Sequence, residues 1–371
     1  MNAHRKVVDN LLSLCGVKLN GKDPWDIQVR DDRMFSRVLA EKNLGLGESY
    51  MAGWWDCARV DELIHRILTA RIHERVTGSI KLLFPAILTA LFNRQSRSRS
   101  REVAERHYDL DNELFLSFLD PYMQYSCAYW SDARDLNEAQ LKKLDLICSK
   151  VSLTATDSVL DIGAGWGGFA KYAAERFGCM VTGVNISEEQ IRFAREFCAG
   201  LPVEILFCDY RDIRGEFDKI VSIGMFEHVG RKNYRTFMEV AHRSLRDGGV
   251  FLLHTIGNNE TSIACDPWIT KYIFPNGMLP SIKQISEAAE GLFVVEDLHN
   301  LGPHYDKTLM AWHRNFLAAW PRLRDKLGEE FKRMWEYYLL SCAGAFRARD
   351  IQLWQIVLTK AGTPQPPCRC A

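Results

Sequence analysis

The chain has 371 residues, and its 47 basic and 47 acidic side chains cancel to a formal net charge of zero. With 47% hydrophobic and 25% charged residues it has the make-up of a soluble globular protein. That excludes a disordered, collagen-like or coiled-coil chain and a globally basic nucleic-acid binder, and at roughly 150 residues per domain it points to about two domains.

In chain order, residues 1–92 read as a mainly helical domain. Apolar residues recur at three- and four-residue spacing in Val7-Val8-Leu11-Leu12 and in Leu63-Ile64-Ile67-Leu68. The longest apolar run, Leu82 to Phe92, is interrupted by Pro85 and Thr89 and falls well short of the ~20 residues of a membrane span. Between Arg71 and Arg106, eight basic residues stand against three acidic ones, so the neutral total conceals a local basic excess beside that apolar run. The pairing suits the surface of an anionic bilayer; a core helix followed by a solvated linker is the other reading. Residues 93–106 are polar, basic and low in complexity, and are expected to form a linker. The N-terminal segment MNAHRKVVDN has no apolar signal core. The eleven cysteines are odd in number and scattered, with no C-x-x-C pair, which argues against a disulfide framework or a metal site and suits a reducing cytoplasm.

Residues 107–371 alternate between strand and helix patterns. Strands are expected at Ser158–Ile162, Met180–Val184, Val203–Phe207, Lys219–Ile223 and Val250–His254, with Leu292–Glu296 and Gln352–Leu358 as a closing pair. A helix is expected over Gly168–Phe177. Ser187 should cap the next one, with Gln190 completing a capping box. The pattern predicts a doubly wound, mainly parallel α/β sheet that binds its ligand at the carboxyl ends of the strands.

Two groups of residues carry chemistry. In Leu160-Asp-Ile-Gly163-Ala-Gly165-Trp-Gly-Gly168, the glycines permit a sharp turn and close backbone approach to a ligand. A dinucleotide site wants an acid about 20 residues on, where this chain has Asn185, whereas Asp161 just before the turn is typical of S-adenosylmethionine sites. Methyltransferase is the leading reading, with a dinucleotide site and an unliganded turn as alternatives. The second group is spread over Gln124–Trp130, Met225–His228, His254–Gly257 and His304–Asp306, segments that largely start at strand ends and can converge above the turn. Taken singly, Cys127, Glu227, His254 and Tyr305 each have an ordinary structural explanation.

Together with GLGESYMAGWW (45–55), HYDL (107–110), MQYSCAYW (123–130), SIGMFEHVG (222–230), FLLHTIG (251–257), DPWITKYIFPNG (266–277) and SCAGAFRARDIQLWQ (341–355), these motifs resemble the bacterial cyclopropane-fatty-acyl-phospholipid synthases. The catalytic half is also similar to the mycolic acid cyclopropane synthases; Ala164 stands where many relatives carry Cys. The resemblance implies a Rossmann-like class I S-adenosylmethionine-dependent methyltransferase domain with a smaller, mainly helical N-terminal domain that contacts lipid. It implies methylene transfer to the cis double bond of an unsaturated acyl chain in membrane phospholipid, through a carbocation deprotonated by bound bicarbonate. It also implies a homodimer, cytoplasmic and peripherally associated with the inner face of the membrane. By motif, Cys127, Glu227, His254, the backbone of Ile256 and Tyr305 would hold bicarbonate, Cys127 as a binding group rather than a nucleophile, and Cys342 is a second family cysteine. Tyr125 and Ser126 would cover the methionine end of the donor, and the turn with Asp161, Gly163, Gly165, Trp166 and Gly167 would wrap it. Asn185 and Gln190 would meet the ribose, and Tyr210 with Arg211 would flank the adenine. No metal is expected. The competing readings are a related lipid or small-amine methyltransferase on the same fold, and a lipid-binding protein without turnover.

Overall fold

The computed structural model describes residues 3–72, 112–262 and 264–369. Most of the basic stretch, with the apolar run Leu82–Phe92, the linker 93–106 and the HYDL motif, lies outside them. The chain forms two compact units that are not divided linearly as expected. The described N-terminal residues cluster with Ala264–Pro275 and Tyr305–Ile351, and the remainder forms the second unit.

The first unit contains the helices Ala3–Ser13, Arg33–Glu41, Asn43–Met51 and Val60–Thr69, the first and last of which carry the apolar spacing read in the sequence. A short antiparallel ribbon joins β1 (Gln28–Val29) to β2 (Trp55–Asp56). Its distant segments are tied in by charge. Arg347 bridges Asp61 at 2.7 Å and Asp306 at 2.9 Å. Glu48 accepts from Arg37, from Lys271 at 2.5 Å and from the Tyr272 hydroxyl at 2.9 Å. Arg333 donates to the carbonyls of Tyr50 and Trp55. Around these ties Trp55, Trp268, Trp312, Trp335 and Tyr337 are fully buried. The helical segment Gly302–Arg347 is two helices, broken where Gly328 adopts φ 78° and ψ 163°.

The second unit is built on a seven-stranded sheet of order β5-β4-β3-β6-β7-β9-β8. The strands are β3 (Ser158–Ile162), β4 (Met180–Asn185), β5 (Val203–Phe207), β6 (Phe217–Ile223), β7 (Leu245–Asn258), β8 (Val294–Asn300) and β9 (Ile351–Thr359). Strands β3 to β7 pair in parallel and β8 with β9 antiparallel. Successive residues feed two cores: Val159, Val221 and Leu252 pack on one face, and Leu160, Ile220, Phe251 and Leu253 on the other. This is the continuous apolar patterning of a parallel sheet covered on both sides. β8 starts two residues later than its sequence suggests, because Gly291 turns at φ 72° and the Leu292 amide is spent closing the preceding helix on Ala289. The chain leaves β3 toward β4 on one side and reaches β6 on the other, so a crevice opens at the carboxyl end of β3. Among the described residues no helix is long and apolar enough to cross a membrane.

Candidate active site

The glycine turn opens directly from β3. Gly163 and Gly165 adopt φ 88° and 55°, and Gly167, at φ 81°, forms the left-handed cap of helix Gly168–Phe177. A Cβ on Gly163 would lie 2.6 Å from Met225, and one on Gly168 would lie 1.7 Å from the Tyr122 carbonyl oxygen. The turn therefore sits hard against the segments that carry the other candidate residues. Above it lies a cavity of about 170 Å³. Tyr125, Ser126, Asp161, Gly163, Gly165, Trp166, Asn185, Gln190, Tyr210 and Arg211 all line it. Gly167 does not. Its role here is to shape the turn, packed beneath by Ala194.

Two pairs of polar side chains on this cavity's rim bind one another, while the buried Tyr210 hydroxyl has no partner. Asn185 donates to Gln190 Oε1 at 2.8 Å and to the Gly165 carbonyl at 3.2 Å. Ser187 does cap its helix, accepting from the Gln190 amide, but the Gln190 side chain turns to Asn185 rather than completing the expected capping box. Asp209, which the sequence reading passed over, also lines the cavity and clamps Arg211 at 2.5–2.7 Å. Asp161 is buried on the floor, and burial pushes its carboxyl up to about 7 against the opposing pull of Lys143.

Lys143 was also missed. It is fully buried, donates to Gln124 Oε1 and to Ser126 Oγ at 3.1 Å, and burial pushes its ammonium down to about 8. A signal was present: in helix Leu136–Lys150 the residues Leu136, Ala139, Gln140, Lys143, Leu144 and Ile147 form one buried stripe at helical spacing, so this lysine stood on an apolar face.

The second group sits beside the cavity along the chain. Glu227 lies in the single 3₁₀ turn Phe226–His228, whose neighbours Met225 and His228 line the cavity. Its Oε1 accepts from the Ile256 amide at 2.6 Å, while Oε2 is buried without a partner. Burial pushes its carboxyl up to about 7. That hydrogen bond occupies the Ile256 N–H, which the resemblance had assigned to bicarbonate; the carbonyl of Ile256 accepts from the Thr255 hydroxyl. His254, on β7, is fully buried and lies 3.3 Å from Gln355 through Nδ1, and its Nε2 has no partner. Burial holds its imidazole neutral, well below its ordinary value. A neutral imidazole that accepts the Gln355 amide at Nδ1 carries its proton on Nε2, the tautomer in which that atom is a donor. Cys127 is buried with its thiol directed to the carbonyls of Ala128 and Leu301 at 3.3 and 3.9 Å.

Tyr305 and Cys342 belong to the first unit. Tyr305 stacks on Phe346 at 4.6 Å and meets Trp312 edge-on at 5.9 Å. The Cys342 thiol is pushed up to about 12 by burial, so it is no nucleophile at neutral pH.

A sheet of this order, with an acid near the end of β3 and a glycine turn directly after it, defines the class I S-adenosylmethionine-dependent methyltransferase fold. Comparison with known proteins narrows this. Residues 95–356 match the family model described as mycolic acid cyclopropane synthetase, and the chain belongs to this family. It is 53% identical over 355 residues to the cyclopropane-fatty-acyl-phospholipid synthase of Escherichia coli (strain K12), covering 96% of this chain and 93% of that protein. It is 35% identical to the tuberculostearic acid methyltransferase UfaA1 of Mycobacterium tuberculosis, over 90% of this chain and 83% of that one. Among solved structures, the cyclopropane synthase MmaA2 from Mycobacterium tuberculosis superposes with a TM-score of 0.66 at 31% identity, covering 70% of this chain and 98% of that one. The mycolic acid cyclopropane synthase CmaA1, solved with SAH and CTAB, matches at TM-score 0.66 and 34% identity, with the same coverage. The protein is an S-adenosylmethionine-dependent enzyme of this family.

Proposed function

We propose that the protein transfers a methylene group from S-adenosylmethionine to the cis double bond of an unsaturated acyl chain in membrane phospholipid, with bicarbonate as the base, and so forms a cyclopropane fatty acid. The observation that carries this reading is the pair of buried polar atoms without partners, Glu227 Oε2 and His254 Nε2, on segments flanking the cavity. A buried unpaired polar atom costs about 1–3 kcal/mol, so such a pair is kept for a ligand that satisfies both. One is an acceptor and the other a donor, which fits an anion carrying one proton.

The residues fit the donor as well. The positive φ of Gly163 and Gly165 brings backbone to the cavity wall with no side chain in the way. When bound, the donor supplies an electrophilic methyl carbon to the alkene, leaving a cation on the lipid. Asn185 and Gln190 present amides to hydroxyls, Tyr210 and Arg211 present flat faces to a base, and neutral His228 adds no competing charge, being pushed down to about 4 by burial. Bicarbonate, when bound, supplies the base that removes a proton from the transferred carbon. Glu227 takes its O–H on Oε2, since two bare anions would repel. His254 donates from Nε2 to another oxygen. Ile256 acts one step away, fixing the Glu227 carboxylate through Oε1. Cys127 presents its buried thiol beside Ser126, and Tyr305 is assigned by its motif.

The test is incubation with S-adenosylmethionine and vesicles of unsaturated phospholipid, followed by mass analysis of the fatty acids. A gain of one CH₂ with loss of alkene reactivity is expected. A gain of one CH₂ that still reacts as an alkene would overturn ring closure and favour a methyltransferase without cyclisation, methyltransferase being the activity named for the UfaA1 relative. Peripheral attachment to the inner face of the membrane and a homodimeric state belong to the same proposal. They are checked by salt-sensitive vesicle binding and by sedimentation.

A further inference from the structure

We propose that Lys143 is a positioning residue for the methyl donor, holding the 124–126 wall of the cavity in place and setting a positive charge opposite Asp161. This rests on the cavity being the donor site.

An ammonium taken wholly out of water costs several kcal/mol unless its partners repay it, and an apolar side chain would fill the same space without that cost. The partners of Lys143 share one location. Gln124 and Ser126, to which it donates, both line the cavity, as does Asp161, the anion on its floor. One turn earlier on the same helix, Gln140 donates to the backbone carbonyls of Gln124 and Ser126 at 3.3 and 2.9 Å. Asp120 closes the segment from the other end, accepting from the amides of Tyr122 and Gln124 at 2.9 Å. Backbone and side chains of the wall are thus gripped from one helix, and the side-chain grip is ionic. The charge is felt most by Asp120 and also by Asp161, whose carboxyl burial drives toward the neutral form while Lys143 opposes that drift. A charged Asp161 is what the α-ammonium shared by the donor and S-adenosylhomocysteine requires from the floor.

The experiment is calorimetric binding of S-adenosylhomocysteine to the full-length protein, together with steady-state KM for the donor. Lys143→Met and Asp161→Asn should each weaken binding about tenfold or more, the size of a lost charge-assisted interaction, and should raise the donor KM more than they lower kcat. The double variant should bind no more weakly than the worse single one, because the Lys143 charge acts on the donor through Asp161. Lys143→Gln keeps an amide donor for Ser126 without the charge. It should recover any thermal stability lost in Lys143→Met but not the affinity, and it carries the test if Lys143→Met does not fold. Variants that bind like the wild type, or a double variant whose loss is the product of the two single losses, would overturn the proposal. A wild-type protein that fails to bind S-adenosylhomocysteine would instead overturn the donor reading of the cavity, and this proposal with it.

Discussion

The donor cavity and the neighbouring Glu227–His254 site lie on one sheet but are finished differently. On the cavity rim two pairs of polar side chains satisfy one another, Asn185 with Gln190 and Asp209 with Arg211, while the buried Tyr210 hydroxyl stands without a partner. At the second site one atom of each key group is anchored and the other is left over, Glu227 by Ile256 and His254 by Gln355. A paired rim can lose one contact and keep its shape. An anchored group with a spare atom depends on its ligand for its last bond. Changes at the second site should therefore fall on turnover, and changes at the rim on affinity.

The largest effect is expected from Glu227→Gln, which keeps the shape but replaces the acceptor with an amide. Activity should fall by about 10²–10⁴-fold, the range for losing the base that Glu227 holds, with S-adenosylhomocysteine binding unchanged in calorimetry. A matching loss of donor affinity would erase the contrast between the two sites. Gly168→Ala comes next and addresses the fold beneath both. Its methyl group would collide with the Tyr122 carbonyl, so the thermal midpoint should drop by an amount equivalent to about 1–3 kcal/mol. On the rim, Gln190→Ala removes one amide contact and should raise the donor KM several-fold with kcat retained, in line with about 1 kcal/mol per hydrogen bond.

A pH profile sharpens the comparison further. Glu227, pushed up to about 7, is neutral below that pH and charged above it. Only the charged form accepts the bicarbonate proton, so kcat should rise with pH through about 7 at constant bicarbonate. Measuring at saturating donor removes the contribution of Asp161, which is also pushed up to about 7. Absence of an ascending limb would show that Glu227 works in its neutral form. The smallest effect is expected for Cys342→Ala. With its thiol pushed up to about 12, activity should stay within about twofold of wild type, because there is almost no thiolate to lose.

The strands near the switch point were legible because their signals are local. An unbroken apolar run at Ser158–Ile162 and a glycine-rich turn after it need no distant partner to be read. The pairing of Gln190 with Asn185 was harder, since Ser187–Gln190 spells a capping box until β4 brings Asn185 alongside. Lys143 was obscured by its type: a lysine in Leu-Lys-Lys-Leu reads as solvent-facing, and only its place on the buried stripe says otherwise. The unit boundaries lay furthest from view. What joins 264–275 and 305–351 to the N-terminal helices is a set of ion pairs between residues more than two hundred positions apart, and no local pattern encodes them.

Those ion pairs set a timetable for synthesis. As the chain emerges from the ribosome, Asp61 and Glu48 are made early, while Lys271 and Arg347 follow 223 and 286 residues after their respective partners. Asp61 has Arg59 beside it at 2.7 Å as soon as it is made, but the second cation that shares its burial, Arg347, follows only 286 residues later. The unit that begins the chain thus cannot complete its ion pairs until the segment around Arg347 has been made.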